Sequence, residues 1–322
     1  MKKECFKQQV VSGILGSVIG DALGVPGEFL SREELMEEPI VTMTSGGVHD
    51  QRIGTWSDDT SMTLCTIDSL LTHGFDFQDQ MQRFYDWLWN ANYTAHDEVF
   101  DVGGATRESI FRFVKGTPAL ACGSKAEYSC GNGSLMRIFP TVMYIIGHYG
   151  NTTIDDRAAQ IIHNTSRCTH AHPTCLMACG LFFSVVASLS TASDPRFAIK
   201  QGIKQGLAYY KDKDEFTHVY NKFTFLLNID QWSVNDVKSS GYVIDTLQAA
   251  LWCLYTSNNL KECLLKAVNL GEDTDTVGAV TGAIAGMWFK EEQIPTDWKN
   301  VTVNYEKIKQ LSLQFSHACL ND

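Results

Sequence analysis

Two glycine stripes, lying some 250 residues apart in the chain, constrain its fold more than any other feature. Gly16, Gly20 and Gly24 are spaced four apart, and so are Gly278, Gly282 and Gly286. Each series lies in an apolar segment with helical spacing; Val10, Val11, Ile14, Leu15, Val18 and Ile19 follow the 3.6-residue period. A glycine inside a helix costs roughly 1 kcal/mol relative to alanine. Two such series therefore predict that backbones approach closely along those faces. Simple helix packing would suffice to explain them. Each stripe, however, adjoins an acidic motif, so close approach would also bring those motifs together.

The acidic motifs are Gly20-Asp21-Ala22-Leu23-Gly24 with Glu28 following, Trp56-Ser57-Asp58-Asp59-Thr60, and Gly271-Glu272-Asp273-Thr274-Asp275-Thr276. Each combines carboxylates with a neighbouring hydroxyl in the second and third cases. Hard oxygen donors of this kind suit Mg²⁺, Mn²⁺ or Ca²⁺ rather than zinc. Adjacent carboxylates such as Asp58 and Asp59 repel one another without a cation. A Ser-Asp-Asp run also serves as an ordinary helix N-cap with an acidic first turn. The Asp-Thr-Asp-Thr run differs in leading directly into an apolar helix that must be buried.

Glycine-rich loops form the second class of motif. Cys130-Gly131-Asn132-Gly133-Ser134 precedes an apolar run, and Asp101-Val102-Gly103-Gly104 is similar. Such loops expose backbone N–H groups, and a following helix N-terminus favours phosphate. They are equally at home as plain turns. His170 could hydrogen-bond a phosphate or be a satisfied surface residue; His172 reads as the latter.

Helical spacing recurs in Met62, Cys65, Thr66, Ser69 and Leu70, across 243–254 with Leu247, Ala250, Leu251 and Leu254 inward, and across 260–270. Convincing β patterns are scarce. The charged segment 211–215 reads as exposed. With seven Pro and no Pro-rich or Ser-rich linker, the expectation is one all-α domain over 1–322 with long functional loops. Seven Trp, eleven Tyr and seventeen Phe suffice for a large core and disfavour disorder.

Two segments imitate membrane signals. Lys2 and Lys3 before Val10–Gly20 loosely resemble a signal peptide, but Asp21 stands where the cleavage region belongs. Cys175–Ala192 is uncharged but holds several Ser and Thr, and both segments read as buried core helices. No membrane partner and a cytoplasmic location follow as expectations. The net charge of −11 disfavours general nucleic-acid binding. Ten Cys without a disulfide rhythm read as free thiols. Cys168, His170, His172 and Cys175 sit too close in sequence for an ordinary zinc finger.

Taken together, the blocks GDALGVPGEF, WSDDTSM, DVGGATR, GNGSLMRIFP, THAHP, GYVIDTLQAALW and GEDTDTVGAVTGAIAG resemble the ADP-ribosylglycohydrolase family, in family order from residue 20 to residue 286. The resemblance implies an all-α fold around two Mg²⁺, with Mn²⁺ as the alternative. It implies Ser57, Asp58 and Asp59 as metal ligands from one side and Asp273, Asp275 and Thr276 from the other. Ser57 stands where the family often has Thr, which retains the oxygen. Glu28 and Asp101 would be the catalytic carboxylates, Glu28 near the metals as ligand or acid/base and Asp101 handling the leaving group as in arginine-specific members. Gly103, Gly104, Gly131, Asn132, Gly133, Ser134 and His170 would contact phosphate and ribose, and Tyr242 would stack on the ligand. The implied reaction removes ADP-ribose from an ADP-ribosylated protein or a small-molecule conjugate, with an arginine N-glycosidic link favoured. The alternatives are a serine-linked or small-molecule ADP-ribose hydrolase, another metal-dependent hydrolase such as one acting on a phosphoester, and a non-catalytic ADP-ribose-binding protein.

Overall fold

The computed structural model describes residues 3–321. In chain order its helices are α1 (Lys3–Gly24), a short α2 (Arg32–Glu37), α3 (Asp58–His73), α4 (Phe77–Asn90), α5 (Gly104–Val114), α6 (Phe139–Tyr149), α7 (Asp156–Arg167), α8 (Pro173–Leu189), α9 (Pro195–Tyr210), the single turn α10 (Thr217–Tyr220), α11 (Val243–Thr256), α12 (Leu260–Val268), α13 (Thr274–Phe289), α14 (Thr296–Val301) and α15 (Tyr305–Ala318). Among the described residues the only β-type pairings are isolated bridges, Gly46 with Gln51, Ser124 with His170, and Gly131 with Tyr242.

The axis of the fold is the antiparallel pair α1 and α13, in which the two glycine stripes face each other. A Cβ on Gly16 would lie 2.2 Å from the Gly282 carbonyl oxygen, one on Gly20 2.0 Å from that of Gly278, and one on Gly24 2.3 Å from that of Thr274. The relation is mutual: a Cβ on Gly278 or Gly282 would strike the carbonyl of Gly20 or Gly16 at 2.3 and 2.0 Å. No side chain fits between backbones this close. The contacts hold a single register, which sets the C-terminal end of α1 beside the first turn of α13. The Thr274 hydroxyl closes that end by donating to the Gly24 carbonyl at 2.6 Å.

Around this pair one continuous apolar core takes in α3, α6, α8, α11, α12 and α15. The segments that imitate membrane signals are both core helices. The stretch Lys3–Gly27 is long and apolar enough to cross a membrane, yet 94% of its most apolar window is buried against the rest of the chain. The other begins at Pro173, capped by His172, whose Nδ1 accepts from the Thr174 N–H. All ten cysteines are thiols, with only Cys5 exposed. The exposed segment after α9 matches its charge, with Lys211, Asp212, Asp214 and Glu215 in solvent.

Candidate active site

Three chain segments converge where α1 ends. Asp21, wholly buried on the last turn of α1, reaches the N-terminus of α3. Its carboxylate accepts from the Ser57 N–H at 2.9 Å, the Thr60 N–H at 3.0 Å and the Thr60 hydroxyl at 2.6 Å. The Ser57 hydroxyl accepts from the Asp59 N–H as the N-cap of α3. The structure thereby satisfies the N-cap reading of Ser-Asp-Asp, while Asp58 lines the adjoining cavity and Asp59 still turns toward the start of α13. There the Thr276 hydroxyl donates to Asp59 Oδ2 at 3.1 Å.

The carboxylates gathered here are extraordinarily dense. Asp58, Asp59 and Asp275 are pushed well above the usual carboxylate range, first by burial and then by one another's charge and that of Asp21, Glu28, Asp101 and Asp273. Burial also raises Asp21 to about 6, against the pull of its hydrogen bonds. Burial, followed by the charge of Asp101, raises Glu28 to about 9. Asp273 is raised by burial too, while Asn132 Nδ2, 2.9 Å away, holds it down. No Lys or Arg among the described residues pairs with Asp58, Asp59, Asp273 or Asp275. Asp59 Oδ1 and Asp275 Oδ2 are buried with no hydrogen-bond partner. A buried anionic oxygen without a donor is unfavourable by several kcal/mol unless a proton or a cation supplies the charge. The all-oxygen donor set fits hard divalent cations.

Beside this cluster lies a cavity of about 480 Å³, lined by the acidic groups Glu28, Asp58, Asp101 and Asp273 with Thr276, and by Gly103, Gly104, Gly131, Asn132, Gly133 and His170. Ser57, Asp59 and Asp275 stand behind that lining, buried. The N-terminus of α5 opens onto the cavity with Gly103 as its cap and no side chain satisfying its first N–H groups. With the first turns of α3 and α13 it gives the cavity three helix N-termini, a favourable field for an anion. A larger cavity of about 800 Å³ borders Trp56, Tyr93, Lys307 and Gln314, and no carboxylate cluster or glycine loop faces it.

Two of the anticipated binding residues lie elsewhere. Ser134 is fully buried, because the chain turns inward after Gly133; its Oγ accepts from Ser166 and touches Cys179. Tyr242 caps α11 outside the cavity lining, and it is its backbone that counts, bridging Gly131. That bridge, together with the Asn132 N–H donating to the Gly241 carbonyl at 3.0 Å, holds the glycine loop in place.

Sequence reasoning missed His49. Its Nε2 lies 2.5 Å from Glu28 Oε2 and 3.8 Å from Asp101 Oδ1, and Phe29 and Phe100 flank its ring. Nothing in a lone loop histidine signals this. Thr106, which lines the cavity, was missed as well, although it sits inside the DVGGATR block; Asp21 was read as part of an acidic motif but not as the tie between α1 and α3.

A second donor cluster, Glu127, Cys130 and His172, resembles a metal site by proximity. Its hydrogen bonds argue otherwise. His172 Nδ1 accepts from a backbone N–H, so a neutral ring carries its proton on Nε2 and donates it to Glu127 at 2.9 Å. Lys222 neutralises the same carboxylate.

A buried carboxylate cluster behind the lining of a glycine-rich, anion-favouring cavity, in an all-helical frame, is the arrangement of a hydrolase acting on an anionic substrate. The chain belongs to the ADP-ribosylglycohydrolase family, whose profile matches residues 3–322. It is 28% identical over 310 residues to the ADP-ribosylarginine hydrolase Tri1 of Serratia proteamaculans, covering 94% of this chain and 77% of that protein. To the ADP-ribosyl-[dinitrogen reductase] glycohydrolase of Rhodospirillum rubrum it is 29% identical over 293 residues, covering 90% and 88%. A solved structure described as an ADP-ribosylglycohydrolase-related protein complex superposes with a TM-score of 0.78 at 27% identity, covering 98% of this chain and 99% of the other.

Proposed function

We propose that this protein hydrolyses the N-glycosidic bond between ADP-ribose and an arginine side chain, aided by two divalent cations, Mg²⁺ or Mn²⁺. The observation that carries the reading is the set of buried, unpaired carboxylate oxygens on Asp59 and Asp275 beside a cavity rich in backbone donors. Ser57, Asp58, Asp59, Asp273, Asp275 and Thr276 would hold the cations. Bound there, divalent cations supply charge for the ribose hydroxyls and for an activated water.

The chain's own groups do the remaining work. The N–H groups of Gly131 and Gly133 and those of the α5 N-terminus bind the diphosphate. Glu28, whose raised affinity for a proton comes from burial, holds and moves a proton at the floor of the cavity. Asp101, partly exposed at the rim with φ +51, presents its carboxylate to the acceptor. A guanidinium pairs bidentately with such a carboxylate, which fixes the leaving group before attack. Serine offers no cation to pair. The named relatives that act on arginine-linked or dinitrogen-reductase-linked ADP-ribose support the same reading.

Paired assays test it. Arginine-linked and serine-linked ADP-ribosyl peptides are incubated with wild type and Asp101→Asn in Mg²⁺, and free ADP-ribose is measured. Faster release from the arginine peptide, lost in the variant, is expected. A preference for the serine peptide, or undiminished arginine activity in Asp101→Asn, would defeat the proposal. Release of AMP instead of ADP-ribose would point to pyrophosphate cleavage, and binding without product to a non-catalytic role.

A further inference from the structure

Arg137 is fully buried and has no carboxylate partner among the described residues. Its guanidinium lies 4.6 Å over the Phe84 ring; Nε and Nη1 make no hydrogen bond, and Nη2 donates to the Thr165 carbonyl at 3.1 Å and to Thr169 Oγ1 at 2.8 Å. Thr169, also fully buried, makes one other side-chain contact, at 2.9 Å to Nδ1 of His170. The His170 ring then passes under the glycine loop: a Cβ on Gly133 would meet its Cε1 at 2.9 Å, and one on Gly131 its Nε2 at 3.6 Å. His170 Nε2 hydrogen-bonds to no described residue, and the ring lines the cavity.

The proton positions follow from the donors. A guanidinium only donates, so the Thr169 oxygen accepts from Arg137. The Thr169 O–H then has one acceptor within reach, His170 Nδ1. If Nδ1 carried a proton instead, the buried hydroxyl would have no acceptor, at a cost of about 1–3 kcal/mol. A protonated ring would also set a second cation near a buried guanidinium. Burial, and next the charge of Arg137, lower His170 to about 3, in keeping with a neutral ring.

We propose that Arg137, acting through Thr169, locks His170 as the neutral Nε2–H tautomer and so presents a fixed, uncharged hydrogen-bond donor to an oxygen of the ligand in the cavity. Arg137 and Thr169 are positioning residues; His170 alone touches the ligand. The ligand part of this inference rests on the proposed ADP-ribose pocket, and the tautomer part does not. The relay gives buried Arg137 a role that packing alone leaves unexplained. A donor locked in this way also stays constant across the pH range in which an ordinary histidine changes charge.

The test uses the full chain labelled with ¹⁵N-histidine, with the His170 signals assigned by their loss in His170→Gln. Two-bond nitrogen–proton correlation spectra from pH 5 to 8 should show Nδ1 unprotonated, Nε2 protonated, and no titration. Thr169→Ser should keep that tautomer. Thr169→Val, equal in size but lacking the hydroxyl, should lose it and weaken ADP-ribose binding by about tenfold in calorimetry, one charge-neutral hydrogen bond's worth. An Nδ1–H tautomer in wild type, titration of His170 within that range, or unchanged tautomer and affinity in Thr169→Val would each overturn the relay. A wild type with the expected tautomer that fails to bind ADP-ribose would support the relay and overturn the proposed pocket ligand.

Discussion

Replacing Gly20 with alanine tests whether the glycine register builds the site. The added Cβ would lie 2.0 Å from the Gly278 carbonyl oxygen and 2.5 Å from its carbon. Ordinary contact begins near 3.4 Å, so α1 and α13 must separate there by more than an ångström, and neither neighbour is a flexible side chain. Against this stands a helix-propensity gain of about 1 kcal/mol. Overpacking costs about 1–3 kcal/mol even where side chains can yield. A backbone clash belongs at or beyond the top of that range, since separation also loosens the flanking contacts at Gly16 and Gly24. The expected net loss is about 2 kcal/mol, or about 3 °C in Tm for a chain of this size. Scanning calorimetry reads it, with Gly104→Ala as the stability control, because a Cβ on Gly104 meets nothing within 4 Å. The shift should be accompanied by weaker Mg²⁺ protection, because Asp21 and Asp275 ride on the two helices that separate. A Gly20→Ala protein that melts at or above the wild-type temperature would refute the close-approach argument.

Asp275→Asn should raise the Tm of the chelated protein at pH 7 and abolish the rise produced by Mg²⁺, which for wild type at a hundredfold excess over Kd is worth about 2.7 kcal/mol. The sign follows from linkage: burial raises Asp275 in the folded state, so the native state holds the extra proton and stability falls as pH climbs above the unfolded carboxylate range. Asp21→Asn should cost about 1–3 kcal/mol in urea denaturation, because one amide oxygen cannot replace a carboxylate that accepts from Ser57 and Thr60 together. His163, buried against the Tyr210 hydroxyl at 2.8 Å and lowered to about 3 by burial, should make the protein acid-sensitive. The unfolded state binds the proton first, so stability is lost as pH falls from 6.5 toward 3, by about 2 kcal/mol at pH 5, and His163→Gln should flatten that slope in pH-dependent melts. Gly133→Val should weaken ADP-ribose binding in calorimetry more than Mg²⁺ binding, since its side chain would collide with His170 and Thr106.

Local periodicity made much of the helical frame legible. The segment 243–254 lies in a helix observed as Val243–Thr256, and the reading of 260–270 overruns the observed Leu260–Val268 by two residues. The uncharged run after the His/Pro cluster is the buried helix Pro173–Leu189. The glycine stripes carried tertiary information as well, because two helices tolerate three such costly residues each only where something larger would collide. What stayed illegible depends on side-chain direction and on contacts between loops. Ser134 belongs to a glycine-rich motif yet points into the core, and Tyr242 acts through its backbone; neither property has a sequence period. His49 approaches Glu28 only because the 46–51 turn folds back, pinned by the Gly46–Gln51 bridge.

The placement of the carboxylates also explains why their supporting structure is so rigid. Charges this close repel, and the repulsion acts along the lines that separate α1, α3 and α13. Flexible side-chain packing would relax by letting those helices drift apart, and the cluster would dissolve into solvent. Backbone-to-backbone contact at Gly16, Gly20 and Gly24 opposes that drift, because helices packed this closely lose more dispersion contact on separating. Asp21 adds a second restraint by tying α3 to the end of α1 through three donors rather than by joining the cluster as a ligand. The site is thus held ready for positive charge by parts that carry none themselves. A chain with the same carboxylates but alanines in the stripes would keep its charge pattern and lose the geometry that makes the pattern useful.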